Sequence, residues 1–119
     1  MKNNTNTENE PTTVEKKLEY FENNDFTQQA LKTITGKWKI SIIKTIAVNC
    51  PKRFGILKKN LDTIAQGTLT TVLRDLENDG LLLREVYAEI PPRVEYKLTE
   101  KGIRLLPILE ELETWYTTK

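Results

Sequence analysis

The sequence predicts an α+β fold that is mostly helical, and three observations support this prediction. Apolar residues recur at helical spacing before residue 80 and again after residue 99, whereas the period changes over residues 81–89 and 93–99, which are both β-prone. The chain has 119 residues, 38% of them hydrophobic, which suffices for one core. We therefore expect a single domain over residues 13–119, preceded by a disordered tail at residues 1–12.

Three helices are predicted in the first part of the chain. The first has Leu18 and Phe21 on one apolar face at helical spacing. The second covers roughly residues 27–34 and is followed by Thr35 and Gly36, which stop it. The third covers about residues 37–48. We expect the apolar side of the first helix to pack against a partner subunit or against its own domain.

Residues 53–80 are predicted to form two short helices joined by a tight turn, with Gly80 as the stop. The second helix has a small, polar face that would fit a major groove about 12 Å wide, and the first leaves Lys58 and Lys59 free to meet a phosphate backbone. An amphipathic helix pair in any small bundle would show the same periods. The apolar stripe of the second helix consists of Leu69, Val72, Leu73 and Leu76.

The two predicted strands are joined by a short tip that contains two prolines, Pro91 and Pro92, and so form a hairpin. Directly after a groove-reading helix, a hairpin has the position of a wing that can lie along the adjacent backbone or minor groove. Arg93 is expected to contact DNA and Arg84 to have a structural role. The alternative for both arginines is ion pairing across the hairpin with Glu85, Glu89 or Glu95.

The last predicted helix runs from Glu100 to about Tyr116, with Thr99 as its N-cap. Pro107 lies inside it and is expected to kink the helix or to start a new segment. Its apolar stripe is wider than one small domain needs to cover, which indicates a dimerisation surface. The stripe consists of Leu105, Ile108, Leu109, Leu112, Trp115 and Tyr116.

Charge is distributed unevenly along the chain, although the formal net charge is only +1. Residues 26–104 contain fourteen basic and eight acidic residues, whereas both ends are acidic. This basic excess coincides with the predicted helix-turn-helix and hairpin. It therefore supports a polyanionic partner such as double-stranded DNA.

The composition argues against catalysis and against metal or cofactor binding. There is no histidine, and Cys50 is the only cysteine, so the usual zinc sites, an intrachain disulfide and a Ser-His or Cys-His pair cannot be built. We expect no enzyme activity and no cofactor. No apolar run approaches the roughly 20 residues of a membrane span, and the first residues do not resemble a signal peptide, so we expect a cytoplasmic protein.

Several motifs in combination resemble the HxlR family of bacterial winged helix-turn-helix regulators. They are the Gly-Lys-Trp at residues 36–38, the Arg-Phe-Gly at residues 53–55, the PPRVEYKLT at residues 91–99, and Pro107 with Trp115. The resemblance covers about Phe26 to Tyr116. It implies a homodimer that binds operator DNA as a repressor or activator, with the terminal helices forming the dimer and one recognition helix for each half-site.

The chain departs from the family pattern at three positions that matter for function. Many members carry a sensing cysteine just before the first helix of the domain, where this chain has Asp25. At the start of the recognition helix, members often have Ser followed two residues later by Lys or Arg, where this chain has Ala65 and Gly67. The loss of a capping hydroxyl and of a basic contact favours weaker or altered DNA binding.

We therefore expect a sequence-specific transcriptional regulator that acts as a homodimer on an inverted-repeat operator. The alternative, motivated by Ala65 and Gly67, is a winged-helix protein-interaction module with weakened or lost DNA binding. A third hypothesis is a small-molecule sensor, but no residue pattern identifies an effector. The expected DNA-binding residues are Lys37, Lys58, Lys59, Gln66, Thr68, Thr70, Thr71, Arg74 and Arg93, and the expected dimerisation residues are Leu18, Phe21, Leu105, Ile108, Leu109, Leu112, Trp115 and Tyr116.

Overall fold

The structure is a computed structural model that describes residue 10, residues 12–23 and residues 25–119. Contacts divide the chain into two compact units, one up to Lys32 and one from Thr33 onward, and each is described by itself. Most of the tail predicted at residues 1–12 lies outside the described residues, so its disorder stays a prediction.

The first unit contains helix α1, Thr13–Asn23, and most of helix α2, Phe26–Ile34. A capping box begins α1, because the Glu15 N–H donates to the Thr12 hydroxyl at 3.0 Å and the Thr12 N–H donates to the Glu15 carboxylate at 3.4 Å. The apolar face predicted for α1 is solvent-exposed, with Leu18 at 57% and Phe21 at 59%.

The second unit begins its core with helix α3, Lys39–Val48, which buries Ile42, Ile43 and Ile46 completely. The sequence predicted a start at residue 37. The helix starts two residues later, with Trp38 as its N-cap at a φ of −113°, and the preceding Gly36 has a φ of +124°.

The predicted helix-turn-helix is present. Strand β1, Lys52–Arg53, leads into helix α4, Phe54–Asn60, and after a turn comes helix α5, Gln66–Asn78. The stripe of α5 packs inward because Leu69, Leu73 and Leu76 are buried and Val72 is half-buried against the same core. This confirms the helical period read from the sequence.

The predicted stop at Gly80 is also confirmed. Gly80 has a φ of +77°, its N–H donates to the Glu77 carbonyl at 3.0 Å, and the Leu81 N–H donates to the Leu76 carbonyl at 2.9 Å. These two hydrogen bonds form a Schellman motif, whose left-handed position favours glycine. The chain thus leaves α5 sharply and enters the sheet.

The sheet has three antiparallel strands in the order β1, β3, β2, where β2 is Leu82–Tyr87 and β3 is Arg93–Leu98. The hairpin of β2 and β3 confirms the predicted wing. The third strand is β1, which pairs Lys52 with Tyr96 and was not predicted. A strand of two residues has too few positions to show a period.

The register of the hairpin decides which side chains face the core. Leu82 lies opposite Leu98 and Arg84 lies opposite Tyr96, and residues directly opposite in an antiparallel pair share a face. Leu82, Leu98 and Tyr96 are buried. Arg84 therefore lies on the face of the wing that packs on the domain, while Arg93, by the alternation of strand residues, lies on the other face.

Helix α6, Glu100–Thr117, is a single element that runs through Pro107. The expectation that Pro107 starts a new segment is therefore wrong. Proline removes one hydrogen bond, to the carbonyl of Ile103, and both residues are exposed, so water can reach the freed carbonyl. The predicted N-cap is confirmed, because the Thr99 hydroxyl accepts from the Gly102 N–H at 3.0 Å.

Two of the expected dimerisation positions lie on the inner side of α6. Leu109 is 4% exposed and belongs to the core of the protomer, and Leu105 is half-buried against that core. The predicted stripe is wide because it has two sides. Its inner side packs against the domain, and its outer side is exposed to solvent and consists of Ile108, Leu112, Trp115 and Tyr116.

Candidate nucleic-acid interface

The outer face of α5 is free of tertiary contacts that would occupy it. The hydroxyls of Thr70 and Thr71 donate to the carbonyls of Gln66 and Gly67, at 3.0 and 3.1 Å, within their own helix. Each hydroxyl oxygen keeps lone pairs that can accept a hydrogen bond from a base edge. All predicted reading residues of this helix are exposed, and these are Gln66, Thr68, Thr70, Thr71 and Arg74.

The first turn of α5 presents backbone amides that no capping side chain occupies. Ala65 has the extended backbone of an N-cap, with a ψ of 146°, but no side-chain cap hydrogen bond. The first helical hydrogen bond is donated by the Leu69 N–H to the Ala65 carbonyl, so the amides of residues 66–68 precede it. The missing hydroxyl therefore leaves these amides available to an anion such as a phosphate.

A cleft of about 790 Å³ lies between α5 and the wing. Four arginines line it: Arg74 from α5, Arg84 from β2, Arg93 from β3, and Arg53 at the end of β1. The cleft therefore brings basic side chains of α5, the wing and β1 to one place. Its acidic lining residues are Glu77 and Glu89.

The four arginines differ in how much of their charge is already neutralised. Arg74 and Arg84 are exposed and form no ion pair with any described residue. Arg53 is 59% exposed in its side chain and lies 3.9 Å from the Glu95 carboxylate, a long contact. Arg74, Arg84 and Arg53 thus keep guanidinium donors for a ligand.

Arg93 is engaged inside the hairpin. Its Nη1 lies 3.1 Å from a Glu89 carboxylate oxygen, its Nε lies 3.4 Å from a Glu95 oxygen, and its guanidinium lies 4.0 Å from the Tyr87 ring centroid. The ion pairing that the sequence left as the alternative is therefore present for Arg93 and not, among the described residues, for Arg84. The sequence had favoured ion pairing for Arg84 and DNA contact for Arg93. Contact of Arg93 with DNA stays a prediction.

Two arginines of the cleft were not among the expected DNA-binding residues. Arg84 was expected to have a structural role, through ion pairing across the hairpin, but it is exposed and lies opposite Tyr96 at the cleft. Arg53 belongs to a two-residue strand that the sequence does not reveal. The one available signal for Arg53 was its position as the first residue of the predicted helix-turn-helix.

The three expected phosphate-binding lysines lie outside the cleft lining. Lys59 is exposed and Lys58 half-buried in the last turn of α4, and neither forms an ion pair with a described residue. Lys37 is exposed, with its ammonium 5.2 Å from the Trp38 ring centroid. Their contacts with a DNA backbone stay predictions.

The outer face of the wing is internally paired. Lys97 lies 3.5 Å from the Glu85 carboxylate. The negative charge of Glu85, followed by burial, raises the pKa of the Tyr87 hydroxyl above its ordinary value, so this phenol stays neutral.

Over residues 12–23 and 25–119, no three metal-ligating side chains gather, and no helix is both long and apolar enough to cross a bilayer.

Comparisons with known proteins agree with this geometry. The family model described as HxlR-like helix-turn-helix matches residues 33–119. An HTH-type transcriptional regulator of Halalkalibacterium halodurans is 51% identical over 85 residues, which cover 71% of this chain and 75% of that protein. The crystal structure of a transcriptional regulator of the MarR family from Enterococcus faecalis has a TM-score of 0.71 and 45% identity, covering 77% of this chain and 84% of its own. The structure of the HTH-type regulator YtcD has a TM-score of 0.72 and 40% identity, covering 77% and 93%.

Proposed function

This chain belongs to the HxlR-like helix-turn-helix family, and we propose that it is a homodimeric transcriptional regulator that binds an inverted-repeat DNA operator. The observation that supports this most is the cleft between α5 and the wing, where Arg74 and Arg84 are exposed and unpaired among the described residues. A slim polar helix fits a major groove, and a positively charged cleft beside it is complementary to the negative charge of the adjacent DNA backbone.

In the proposed complex, α5 lies in the major groove. Arg74, Gln66 and the threonines of α5 meet base edges there, because a bidentate guanidinium or amide can distinguish base pairs. The DNA backbone beside the groove passes through the cleft, where Arg84 and Arg53 bind phosphates. Lys37, Lys58 and Lys59 contact phosphates farther along the duplex and fix the orientation of the protein without reading sequence.

The proposed dimer forms through the exposed side of α6, together with Leu18 and Phe21 of α1. Ile108 and Leu112 are 59% and 47% exposed, and Trp115 is 73% exposed. Such a row of large apolar side chains is unusual on a surface without a partner. A two-fold dimer places two recognition helices on half-sites about one helical turn, roughly 34 Å, apart. We place this regulator in the cytoplasm, with no reaction or cofactor of its own.

The test is a mobility-shift titration of the purified protein on DNA from upstream of its own gene, with unrelated competitor duplex and a salt series. If about six phosphates are neutralised, the affinity should fall about a thousandfold between 50 and 200 mM salt. Arg84→Ala should lower the salt slope by about 1 and weaken binding to specific and unrelated duplexes alike.

Arg104→Ala is the matched control, because Arg104 is 65% exposed, pairs with Glu100 on α6, and does not line the cleft. Its titration should overlay that of the unmodified protein. Weak binding that the competitor abolishes, with no difference between the two variants, would contradict the proposal. It would favour the protein-interaction module that Ala65 and Gly67 suggested.

A further inference from the structure

Ile90, at the tip of the wing, is the most exposed large apolar side chain in the described part of the chain, at 102%. Single apolar residues on a surface are common, so exposure alone assigns no role. The position of Ile90 is more informative. Ile90, Pro91 and Pro92 line the same cleft as Arg74 and Arg84.

Two contacts and two prolines restrict the conformation of the tip. The Glu89 N–H donates to the Tyr87 carbonyl at 2.8 Å, and the Glu89 carboxylate lies 3.1 Å from Nη1 of Arg93 on the other side of the tip. Pro91 and Pro92 restrict their own φ angles. A contact made by this tip therefore costs little conformational entropy.

The charges of the tip neutralise each other. Glu89 and Arg93 form an ion pair, and Glu95 also lies beside Arg93 at 3.4 Å. A phosphate could take Arg93 only by displacing two carboxylates, so the tip is poorly suited to an ionic contact. What it offers instead is the apolar side chain of Ile90 on a proline-bearing loop.

The minor groove next to the major groove offers DNA surfaces that an apolar side chain can contact. With α5 in the major groove and the backbone in the cleft, the tip meets the adjacent minor groove. Minor-groove proteins insert Ile, Leu, Phe or Pro against sugars and base steps. The floor of the groove is smoother at A·T pairs, because G·C pairs carry the additional amino group of guanine.

We infer that Ile90 makes an apolar contact in the minor groove beside each half-site and thereby sets a preference for A·T pairs there. This inference rests on the proposed DNA-binding function and adds a specificity-determining residue to it. Arg84 and Ile90 would then act differently on the same duplex, the first through charge and the second through shape.

The test begins with duplexes selected by the full-length protein from a library that is randomised at and beside the half-sites. Affinities are then measured for a selected duplex and for a copy whose flanking A·T pairs are replaced by G·C. Ile90→Ala should weaken binding to the A·T-flanked duplex about five- to tenfold, because an apolar contact of several carbons is lost. It should also narrow the difference between the two duplexes and leave the salt slope unchanged.

Two further variants make the result specific to this side chain. Ile90→Val keeps a β-branched apolar side chain and should bind within about twofold of the unmodified protein. Val48→Ala removes an apolar side chain that is 85% exposed and outside the cleft, and it should change nothing. Thermal unfolding of each variant confirms that the fold is intact.

The possible failures are distinguishable. If a duplex is selected and Ile90→Ala binds both flanks as the unmodified protein does, the inference is wrong and the proposed function stands. A lowered salt slope for Ile90→Ala would assign the tip an ionic contact and also overturn the inference. If no duplex is enriched, the proposed function is wrong and the inference falls with it.

Discussion

The guanidinium groups around the cleft differ in whether they already form ion pairs and ring contacts within the protein. Arg93 lies between two carboxylates and over an aromatic ring, so its charge and its planar face are both used inside the wing. Arg74 has no such partner among the described residues, although Glu77 lies one turn away on the same helix and lines the same cleft. Arg74 is therefore the guanidinium of α5 that a base edge can recruit.

Arg74→Ala should weaken binding to a selected duplex by about 1–3 kcal/mol, with a much smaller loss on random DNA, because a base contact discriminates and a phosphate contact does not. The measurement is a pair of titrations at one salt concentration. Lys59→Ala is the comparison, since its loss should be similar on both duplexes. Equal losses on both duplexes for Arg74→Ala would remove its assignment as a base-reading residue.

Among the elements, the end of α5 and the start of α6 are joined by hydrogen bonds and by a close backbone approach. The Thr99 N–H donates to the Leu81 carbonyl at 3.0 Å, and the Thr99 hydroxyl donates to the Gly80 carbonyl at 2.5 Å. Gly102 lies in the next turn, where an added Cβ would be 2.4 Å from the Leu81 carbonyl oxygen. The end of the recognition helix is thus joined directly to the helix that we propose for dimerisation.

Gly102→Ala should lower the free energy of unfolding by about 1–2 kcal/mol, because overpacking against backbone outweighs the gain in helix propensity. Gly55→Ala is the matched variant. Gly55 is also helical, and nothing lies within 4 Å of an added Cβ, so the same substitution there should raise stability by roughly 0.5–1 kcal/mol. Urea unfolding measures both, and a stabilising Gly102→Ala would show that the close approach is absent in solution.

For the whole molecule, α6 has two opposed tasks. Leu109 closes the core, and Glu113 forms an ion pair with Lys44 of α3, so the protomer holds this helix from one side. The other side is covered by nothing in the described chain. A helix fixed on its inner side and apolar on its outer side is suited to bring two protomers together without changing either fold.

Ile108→Glu should convert the dimer to a monomer at micromolar concentration, since two carboxylates would be buried in a two-fold interface without partners. Light scattering coupled to gel filtration gives the mass. Thr114→Glu places the same charge on the polar side of α6 and should leave the dimer intact. DNA affinity should fall only for Ile108→Glu, because each half-site then binds alone. A monomeric unmodified protein would contradict the proposed dimer.

Much of the local structure was determined by the sequence itself. The apolar period of α5, the stop at Gly80 and the Thr99 cap all follow from interactions within a few residues, so the sequence alone predicts them. The β-branched and aromatic content of the hairpin predicts the wing for the same reason. The exposed polar face of α5 then follows from the helical period.

Tertiary structure decided the features that depend on distant partners. The pairing of β1 with β3, the burial of Leu109 beside the exposed Ile108, and the ion pairing of Arg93 rather than Arg84 all depend on register and on which element packs over which. A single residue and its near neighbours contain no information about that packing, because the free energy gained comes from surfaces brought together over the whole chain.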